Sequence, residues 1–335
     1  MVSIAITSLN SAIERLLAVE THRPGSVHRL TRSETFAGGK GVNVARVLTQ
    51  LSAARPEAVE PVPAPLLLGF AGGPTGRLFE DLLATEHLAA ALVPTSGATR
   101  VCEVLVDLSD PAGATVYNAS GPQVEHSELE ALEGLFAGTL AKSEALVCTG
   151  SVPPGVPADQ YARWIAQARD RGILSVLDAH GEVLALGAAA LPDVIKVNRE
   201  ELSSLGTGDP ADRALGWLDA GIRCVVITDG DRPARAFTAG AEYEVVAPEV
   251  PVRSAVGSGD AFCAGLVQSL LGAPRAGWAA HLRTAAACGA SNAAATTAGL
   301  TSSHSPAALL PRVAVRESAL RSAPPPVRRA GGTRG

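Results

Sequence analysis

The chain has 335 residues, a net charge of −5, 47% hydrophobic residues and 18% charged residues. Such a chain can bury a full hydrophobic core, either as one large α/β domain or as two smaller domains. The basic residues form no cluster before the tail, which argues against nucleic acid and anionic membranes as partners. No stretch approaches ~18 uninterrupted apolar residues, and the first residues lack the basic start of a signal peptide, so we expect a cytoplasmic protein.

The five cysteines are scattered within apolar runs and form no CxxC pair. This spacing predicts buried free thiols in a reducing compartment.

Two segments, about residues 11–37 and 98–120, contain β-type residues and turn signals without a convincing helix. They predict a small separate sheet that could serve as a lid over a site.

The stretch "AGGKGVNVARVLTQL" begins directly after the first of these segments. Val44, Val47 and Leu48 lie on one helical stripe, which places the glycines, Lys40 and Asn43 at the N-terminus of a helix. The stretch lacks the spacing of a Walker A loop, and no GxGxxG sequence follows the first strand. From this stretch alone, a structural turn and a ligand site are both open.

Farther along, short apolar runs alternate with helix-type runs, for example "LLLGF", "ALVCTG", "ILSVLDAH", "DVIKVN" and "CVVITDG". This alternation predicts an α/β fold with a mostly parallel central sheet and helices on both faces. Polar residues end the apolar runs at 149–151, Asp178, His180, Asn198 and 228–229. Because parallel sheets bind ligands at the carboxyl ends of their strands, these residues predict a small-molecule site.

The stretch "VRSAVGSGDAFCAG" predicts another helix, with Gly257, Ser258 and Gly259 at its N-terminus. Free main-chain amides and the helix dipole favour an anion there, and a phosphate would fit. The alternative is that Ser258 and Asp260 only cap the helix. The last residues, 322–335, are rich in Pro, Gly and Arg, and we expect them to be disordered.

Together these segments resemble the PfkB (ribokinase-like) family of carbohydrate kinases. The likeness is carried by "TSLNSAIER", "GGKGVNVARVL", "ATRVCEV", "TGSVPPGVP", "IKVNREEL" and "VGSGDAFCAG". It implies a single ribokinase-like kinase domain over residues 1–320, with the two irregular segments as its β-sheet lid. Within the family, the first glycine-rich stretch, "GSVPPG" and "NREEL" resemble the phosphosugar branch most.

On the phosphoryl-transfer side, the resemblance implies that Asp260 is the catalytic base and that Gly257, Ser258 and Gly259 form an anion hole. It also implies an Mg²⁺ ion, positioned by Glu201 directly or through water, with ATP as the phosphoryl donor. The positions that match nucleotide contacts in the family are Lys196, Asn198, Thr228, Gly230 and Asn292. Without the resemblance, Asn198 and Glu201 would be interpreted as an ordinary helix cap.

On the acceptor side, the positions that match sugar contacts are Glu14, Gly39, Lys40, Asn43, Arg100 and Ser151. An arginine fork suits a phosphate monoester, so Arg100 is expected to hold a phosphate already on the sugar. The implied substrate is a phosphorylated ketohexose, with fructose 1-phosphate first and fructose 6-phosphate or tagatose 6-phosphate next. A homodimer through the lid is left open.

Several positions depart from the family pattern. Glu14 stands where Asp is usual, Ala255 replaces Thr, Val197 replaces Pro, and Pro233 replaces a glycine. The longer Glu14 side chain keeps open a kinase of an unphosphorylated sugar or nucleoside. A sugar-phosphate-binding protein without turnover is a further alternative, which the retained Asp260 argues against.

Overall fold

The computed structural model describes residues 3–54, 63–110 and 114–320. The segment 322–335, for which the sequence predicts disorder, lies outside these ranges. No helix in the described ranges is long and apolar enough to cross a membrane. All five cysteines are free and buried, which confirms the thiol prediction.

A ten-stranded sheet forms the centre of the molecule, in the order β14-β13-β12-β11-β10-β9-β8-β1-β4-β5. Its strands are β1 Ser3–Ser8, β4 Ala64–Gly72, β5 Ala90–Thr95, β8 Ser143–Thr149, β9 Leu174–Asp178, β10 Val194–Asn198, β11 Cys224–Asp229, β12 Arg232–Thr238, β13 Ala241–Val246 and β14 Ala314–Ala319. The part of the sheet with the order β11-β10-β9-β8-β1-β4-β5 is parallel throughout, as the sequence predicts. β12, β13 and β14 extend the sheet in antiparallel fashion, which the sequence analysis did not anticipate.

Helices cover both faces of this sheet. They are α1 Lys40–Ala53, α2 Gly73–Thr85, α3 His126–Leu140, α4 Gln160–Asp170, α5 Gly181–Ala189, α6 Arg199–Ser203, α7 Pro210–Asp219, α8 Ser258–Gly272, α9 Trp278–Ala293 and α10 Pro306–Leu309. α1, α2, α8 and α9 share one apolar core with the sheet, and α3, α4, α5 and α7 share the other. The parallel strands in the middle of the sheet are therefore covered on both sides, which explains their near-continuous apolar sequences.

The second core is centred on α4, where Trp164 is fully buried and stacks on Phe136 of α3 at a ring-centroid distance of 4.4 Å. In the first core, α8 and α9 approach closely at Gly265. A Cβ atom at this position would lie 2.7 Å from the Cys288 sulfur. A glycine is required there because any larger side chain would push the two helices apart.

Four strands form a separate small sheet in the order β3-β2-β6-β7. They are β2 Ala12–Val19, β3 Arg32–Gly38, β6 Arg100–Asp107 and β7 Ala114–Tyr117. β2 and β6 pair in parallel, whereas β3 and β7 flank them in antiparallel fashion. The two irregular segments thus pair as predicted, with strands shorter than the segments. We call this four-stranded unit the lid sheet.

The edges of the central sheet are β5, which contains Pro94, and β14, which exposes Arg316 and Glu317. α4 begins at Gln160, and the residues before it form a turn in which the Gln160 amide donates to the Pro157 carbonyl.

Candidate active site

The candidate site lies where the parallel strands end and the lid sheet begins. β8, β9, β10 and β11 end at Thr149, Asp178, Asn198 and Asp229, and the N-termini of α1 and α8 face the same region. A cleft of about 1510 Å³ runs from the inner face of the lid sheet past Asn43 to the loops at 251–256 and 294–301. The fold thus brings polar strand ends and two helix N-termini to the same edge of the sheet, as expected for parallel sheets.

Asp260 lies in the first turn of α8 and is only 6% exposed. Its Oδ2 accepts a hydrogen bond of 2.8 Å from Nδ2 of Asn43 on α1. Burial raises the pKa of Asp260 to about 6, although the nearby Lys40 and Lys196 favour the charged form and so lower the pKa. A carboxylate in this state can accept a proton near neutral pH, which is what a general base requires.

Beside Asp260, two lysines share one buried carboxylate. Lys40 Nζ lies 2.7 Å from Asp178 Oδ1 and 2.6 Å from Glu201 Oε1. Lys196 Nζ lies 2.8 Å from Asp178 Oδ2, and Asp178 is fully buried. The four groups form a paired network, which is the arrangement that makes buried charges tolerable.

The network shifts the proton affinities of its members. Burial disfavours the charged form of Asp178, but Lys196 and Lys40 hold its pKa below the usual value. Burial would likewise lower the pKa of Lys40, but Asp178, Glu201 and Asp260 raise it more strongly. Lys40 is therefore a permanent cation at neutral pH, suited to contact a phosphate group.

Asn198 and Glu201 form the capping box that opens α6. The Asn198 side chain accepts from the Glu201 amide at 2.7 Å, and Glu201 Oε2 accepts from the Asn198 amide at 2.9 Å. Asn198 and Glu201 thus form the helix cap that their positions in the sequence suggest. The other carboxylate oxygen of Glu201 contacts Lys40, so a metal ion at Glu201 would compete with that ammonium group.

Within the described ranges, no cluster of three or more His, Cys, Asp or Glu residues is arranged to hold a metal ion. The carboxylate oxygens of Glu201 and Asp178 are nevertheless hard ligands of the kind that Mg²⁺ accepts. They could supply one or two ligands, and nucleotide phosphates and water would complete the coordination.

The glycine turn before α8 is built around Gly257, whose φ of +83° lies in the left-handed region. A Cβ there would lie 2.8 Å from Cβ of Ala298, and a Cβ at Gly259 would lie 2.7 Å from Lys196 Nζ. Gly257 therefore needs to be glycine, whereas a side chain at Gly259 would have to displace the end of the Lys196 side chain. The Ser258 amide donates to the Ala255 carbonyl at 3.2 Å, so this amide of the predicted anion hole is engaged in the turn itself.

Asn292 lies behind this turn at the end of α9 and is fully buried. Its Nδ2 donates to the Val256 carbonyl at 2.8 Å and to Ser258 Oγ at 3.1 Å, and its Oδ1 accepts from Gly299 at 2.8 Å. The side chain supports the turn, and a contact with nucleotide stays a prediction.

Thr228 and Gly230 lie at the end of β11 and in the turn that follows it. Thr228 donates to the Val197 carbonyl at 3.4 Å, and Gly230 adopts a φ of +63° in the turn to β12. Their nucleotide contact stays a prediction. Asn198 and Thr228 are paired residues at the ends of the neighbouring strands β10 and β11.

The root of the lid sheet carries a second polar cluster. Arg100 on β6 donates through Nη2 to the Asn10 carbonyl at 2.6 Å and through Nη1 to the Ala119 carbonyl at 2.7 Å. Asn10 Nδ2 donates to Ser151 Oγ at 3.0 Å and to the Ser120 carbonyl at 3.1 Å. Arg100 thus joins the lid to the sheet in this structure, and its predicted phosphate contact remains a prediction.

Glu14 on β2 lies over the first glycine-rich turn. Its Oε1 accepts from the Gly39 amide at 3.1 Å, and a Cβ at Gly38 would lie 2.3 Å from the Glu14 side chain. The longer carboxylate therefore fills space beside the turn that starts α1. This contact gives the departure at position 14 a physical consequence in the cleft, which Glu14 lines.

Two residues of the site were not among the predicted site positions. Asp178 was noticed only as a polar strand end, although it anchors both lysines. In the sequence, Arg46 looks like an ordinary polar residue of an amphipathic helix, yet in the structure it is only 8% exposed. Asp178 carried a usable signal, a charge at the end of an apolar strand, whereas no feature of the sequence distinguishes Arg46.

Comparison with known proteins provides an independent line of argument. The sequence profile of the pfkB family carbohydrate kinases matches residues 3–306. A 1-phosphofructokinase of Rhodobacter capsulatus is 31% identical, over 79% of this chain and 83% of that protein. A tagatose-6-phosphate kinase of Staphylococcus epidermidis is 28% identical, over 79% of this chain and 84% of that protein.

Among solved structures, phosphofructokinase-2 from Escherichia coli in complex with potassium superposes with a TM-score of 0.81. It is 25% identical and covers 93% of this chain and 99% of that chain. The likeness extends over the central sheet and the lid sheet together, so it concerns the whole architecture that surrounds the cleft.

Proposed function

The chain belongs to the pfkB family of carbohydrate kinases and is an ATP-dependent carbohydrate kinase, and from this premise we propose that it phosphorylates a phosphorylated ketohexose. Fructose 1-phosphate is the first candidate, followed by fructose 6-phosphate and tagatose 6-phosphate, and the products are a sugar bisphosphate and ADP. The named activities of the two curated relatives, both of which act on phosphosugars, support this choice.

The observation that carries the proposal is the buried Asp260 at the N-terminus of α8. In the reaction, the acceptor hydroxyl oxygen forms a bond to the γ-phosphorus of ATP, and the bond between that phosphorus and the β–γ bridging oxygen breaks. Asp260 takes the hydroxyl proton, and ADP keeps the bridging oxygen. The N-terminus of α8 stabilises charge on the transferred group.

The cations near the acceptor part of the cleft favour an acceptor that already carries an anion. Lys40 remains charged at neutral pH. Arg100 on the lid sheet donates to the Asn10 carbonyl, and the Asn10 side chain donates to Ser151. Arg100 still has N–H groups beyond those given to the two carbonyls, because a guanidinium carries five donors. A phosphate on the sugar would draw on these groups, which a neutral sugar does not need.

A divalent metal, which we propose to be Mg²⁺, would neutralise charge on the nucleotide phosphates when bound. Glu201 is the residue best placed to contact it, directly or through water, because its carboxylate lies beside the Lys40 ammonium group and its side chain is 14% exposed. This chain's own part is to hold that carboxylate in position through the Asn198 capping box.

A second candidate is a kinase of an unphosphorylated sugar or nucleoside. The contact of Glu14 with the Gly39 amide favours it, because the longer side chain reduces the space beside the first glycine-rich turn. In addition, Arg100 is engaged with main-chain carbonyls in this structure. A sugar-phosphate-binding protein without turnover is the less favoured alternative, since binding alone requires no base at Asp260.

The decisive experiment compares kcat/KM for each phosphosugar with kcat/KM for its unphosphorylated parent, using Mg²⁺-ATP and ADP release as the signal. We expect at least one phosphosugar to be preferred, by about 10-fold or more, because a charge-assisted contact contributes roughly 1.5–3 kcal/mol. Arg100→Ala should raise KM for that phosphosugar, whereas Arg163→Ala, on the exposed face of α4, should not. A preference for the parent sugar or nucleoside would overturn the phosphosugar proposal.

We also propose a homodimer that forms through the lid sheet. β7 is an edge strand of this sheet, and its Val116 and Tyr117 side chains are 47% and 55% exposed. Light scattering should give twice the monomer mass, and Tyr117→Lys should return the monomer mass. A monomer for the unsubstituted protein would reject the proposal.

A cytoplasmic location is proposed on the basis of the five free buried thiols, which suit a reducing compartment. Fractionation of cells that produce the protein should recover it with the cytoplasmic markers, and recovery from an oxidising compartment would contradict the proposal.

A further inference from the structure

Arg46 lies on α1, one turn after Asn43, and is almost fully buried. Its Nη1 donates to Asn43 Oδ1 at 2.7 Å, and its Nη2 donates to the Ala37 carbonyl at 2.7 Å. The guanidinium also forms a bidentate ion pair with Glu86 at the end of α2, with Nη2 and Oε1 2.8 Å apart. Arg46 itself has no direct contact with Asp260 among the hydrogen bonds of the described residues.

We infer that Arg46 is a positioning residue for Asp260, and that it acts by fixing the orientation of the Asn43 side-chain amide. An amide side chain has an oxygen end that accepts and a nitrogen end that donates, whereas a guanidinium only donates. Arg46 can therefore face only the oxygen end of Asn43. The nitrogen end is then directed to Asp260 Oδ2, where it donates at 2.8 Å.

The opposite orientation of the amide would be unfavourable at both ends. It would place the Asn43 nitrogen against the Arg46 N–H groups and the Asn43 oxygen against the Asp260 carboxylate. Two favourable contacts would become two repulsive ones, and buried polar groups without partners are costly. The Arg46 contact thus selects the orientation in which Asp260 receives a hydrogen bond.

Glu86 completes the chain from the other side. Its bidentate contact fixes the plane of the guanidinium, and the Ala37 carbonyl holds one of its nitrogens. The resulting series, Glu86–Arg46–Asn43–Asp260, crosses from α2 through α1 to α8. We call it the relay.

The relay should influence the pH dependence of the reaction, since a hydrogen bond to the charged form of a carboxylate lowers its pKa. The charged groups that face Asp260 are Lys40 on α1, Lys196 on β10 and Asp178 on β9. None of the three contacts Arg46 in the relay. A substitution at Arg46 therefore leaves the contacts of these three groups in place and removes the Arg46 contacts with Asn43, Ala37 and Glu86.

The test rests on the proposed function, in which Asp260 is the general base. Arg46→Met replaces the arginine with an unbranched apolar side chain that has no hydrogen-bond donor. The side-chain amide of Asn43 can then rotate to the opposite orientation. We expect the acid limb of the kcat/KM profile for the sugar to move up by about one pH unit, since the relay no longer holds a donor on the carboxylate. At pH 8 we expect kcat to fall by roughly 10-fold, with KM for ATP unchanged.

Two further variants separate positioning from folding. Arg235→Met removes a comparable arginine–glutamate contact on β12, where Arg235 Nη2 lies 2.6 Å from Glu242 Oε1, and should leave the limb in place. Glu86→Gln keeps the shape of the relay but removes one charge, and should move the limb in the same direction by a smaller amount. If Arg46→Met does not fold, Glu86→Gln alone decides, and an unmoved limb overturns the inference.

A double variant tests whether the effect passes through the amide. In an Asn43→Ala background, Arg46→Met should cause no further displacement of the limb. A further displacement there, or an unmoved limb in a folded Arg46→Met protein, would overturn the inference. These outcomes are distinct from failure of the proposed function, which would appear as wild-type kcat in Asp260→Asn.

Discussion

At the scale of single residues, the environment of Asp260 decides both its chemistry and its effect on stability. The carboxylate is buried, receives one hydrogen bond from Asn43, and has a pKa raised to about 6 chiefly by burial. Below that pH the carboxyl group of Asp260 is protonated and cannot take the proton from the hydroxyl group that is to be phosphorylated. Activity should therefore fall as the pH is lowered through about 6.

Asp260→Asn tests this with one substitution and two measurements. Its kcat should fall by about 10²- to 10⁴-fold, because an amide cannot act as a base. Its melting temperature should exceed that of the unsubstituted protein at pH 8, and the difference should shrink as the pH falls from about 6 to about 4. The sign follows from the raised pKa of the folded state: the unfolded carboxyl group ionises near its ordinary value of 3.8, so the cost of burying the charged form builds up between about pH 4 and about pH 6 and is constant above that. An equal difference in melting temperature at pH 4 and pH 8 would contradict the assigned pKa.

Glu201 offers a second residue-scale prediction. Glu201→Gln keeps the shape of the capping box but removes the charge that faces Lys40. If Glu201 positions the metal, the Mg²⁺ concentration for half-maximal rate should rise, whereas KM for the sugar should change little. Glu182→Gln, at the start of α5, is the matched control. An Mg²⁺ titration curve identical to that of the unsubstituted enzyme would reduce Glu201 to a helix cap.

The family resemblance assigns roles to Asp260 and Asn43, which stay predictions, and the local sequence does not show how these two side chains are held. Lys40 meets Asp178 and Glu201 across 138 and 161 positions of the chain, and Asn43 meets Asp260 across 217. Such pairs depend on the order in which strands assemble, and local periodicity carries no information on them. The contacts that Arg46 and Asp178 make are therefore visible only in three dimensions.

At the scale of secondary-structure elements, the contact between α8 and α9 depends on small residues. Gly265→Ala would bring a methyl group within 2.7 Å of the Cys288 sulfur, so α8 and α9 would have to move apart. We expect a loss of about 1–3 kcal/mol of unfolding free energy, the usual cost of overpacking. Urea unfolding measures this loss.

The matched control for that prediction is Gly134→Ala on α3, where an added Cβ meets nothing within 4 Å. There the substitution should stabilise the protein by about 0.4–1 kcal/mol, because alanine restricts the unfolded chain. Equal effects at the two glycines would show that the α8–α9 contact is not as close as described.

Periodicity predicted the elements that alternate regularly, including α1, α8 and the parallel strands, because each of them buries a continuous apolar face. It did not predict β12, β13 and β14. Their pattern is interrupted by charged residues at Arg232, Arg235 and Glu242, which belong to a sheet region with one solvent-facing side.

At the scale of the whole molecule, the lid sheet connects to the central sheet through the cluster of Arg100, Asn10 and Ser151. The lid should close over the cleft when sugar and nucleotide are both bound and so exclude water from the reaction. Hydrogen exchange should then slow in β6 and β2, whereas β13 on the far side of the sheet should be unaffected. Equal exchange in β6 with and without both ligands would argue against a closing lid.

The two edges of the central sheet have a consequence for colloidal behaviour. An unprotected strand edge invites another chain to add to it, and such additions lead to aggregates and fibrils. At β5, Pro94 has no amide hydrogen to offer an incoming strand. At β14, the exposed Arg316 and Glu317 would have to lose hydration before another strand could pair. Both edges of the ten-stranded sheet thus resist the addition of another strand, and copies of the protein are expected to associate through other surfaces, such as the lid sheet.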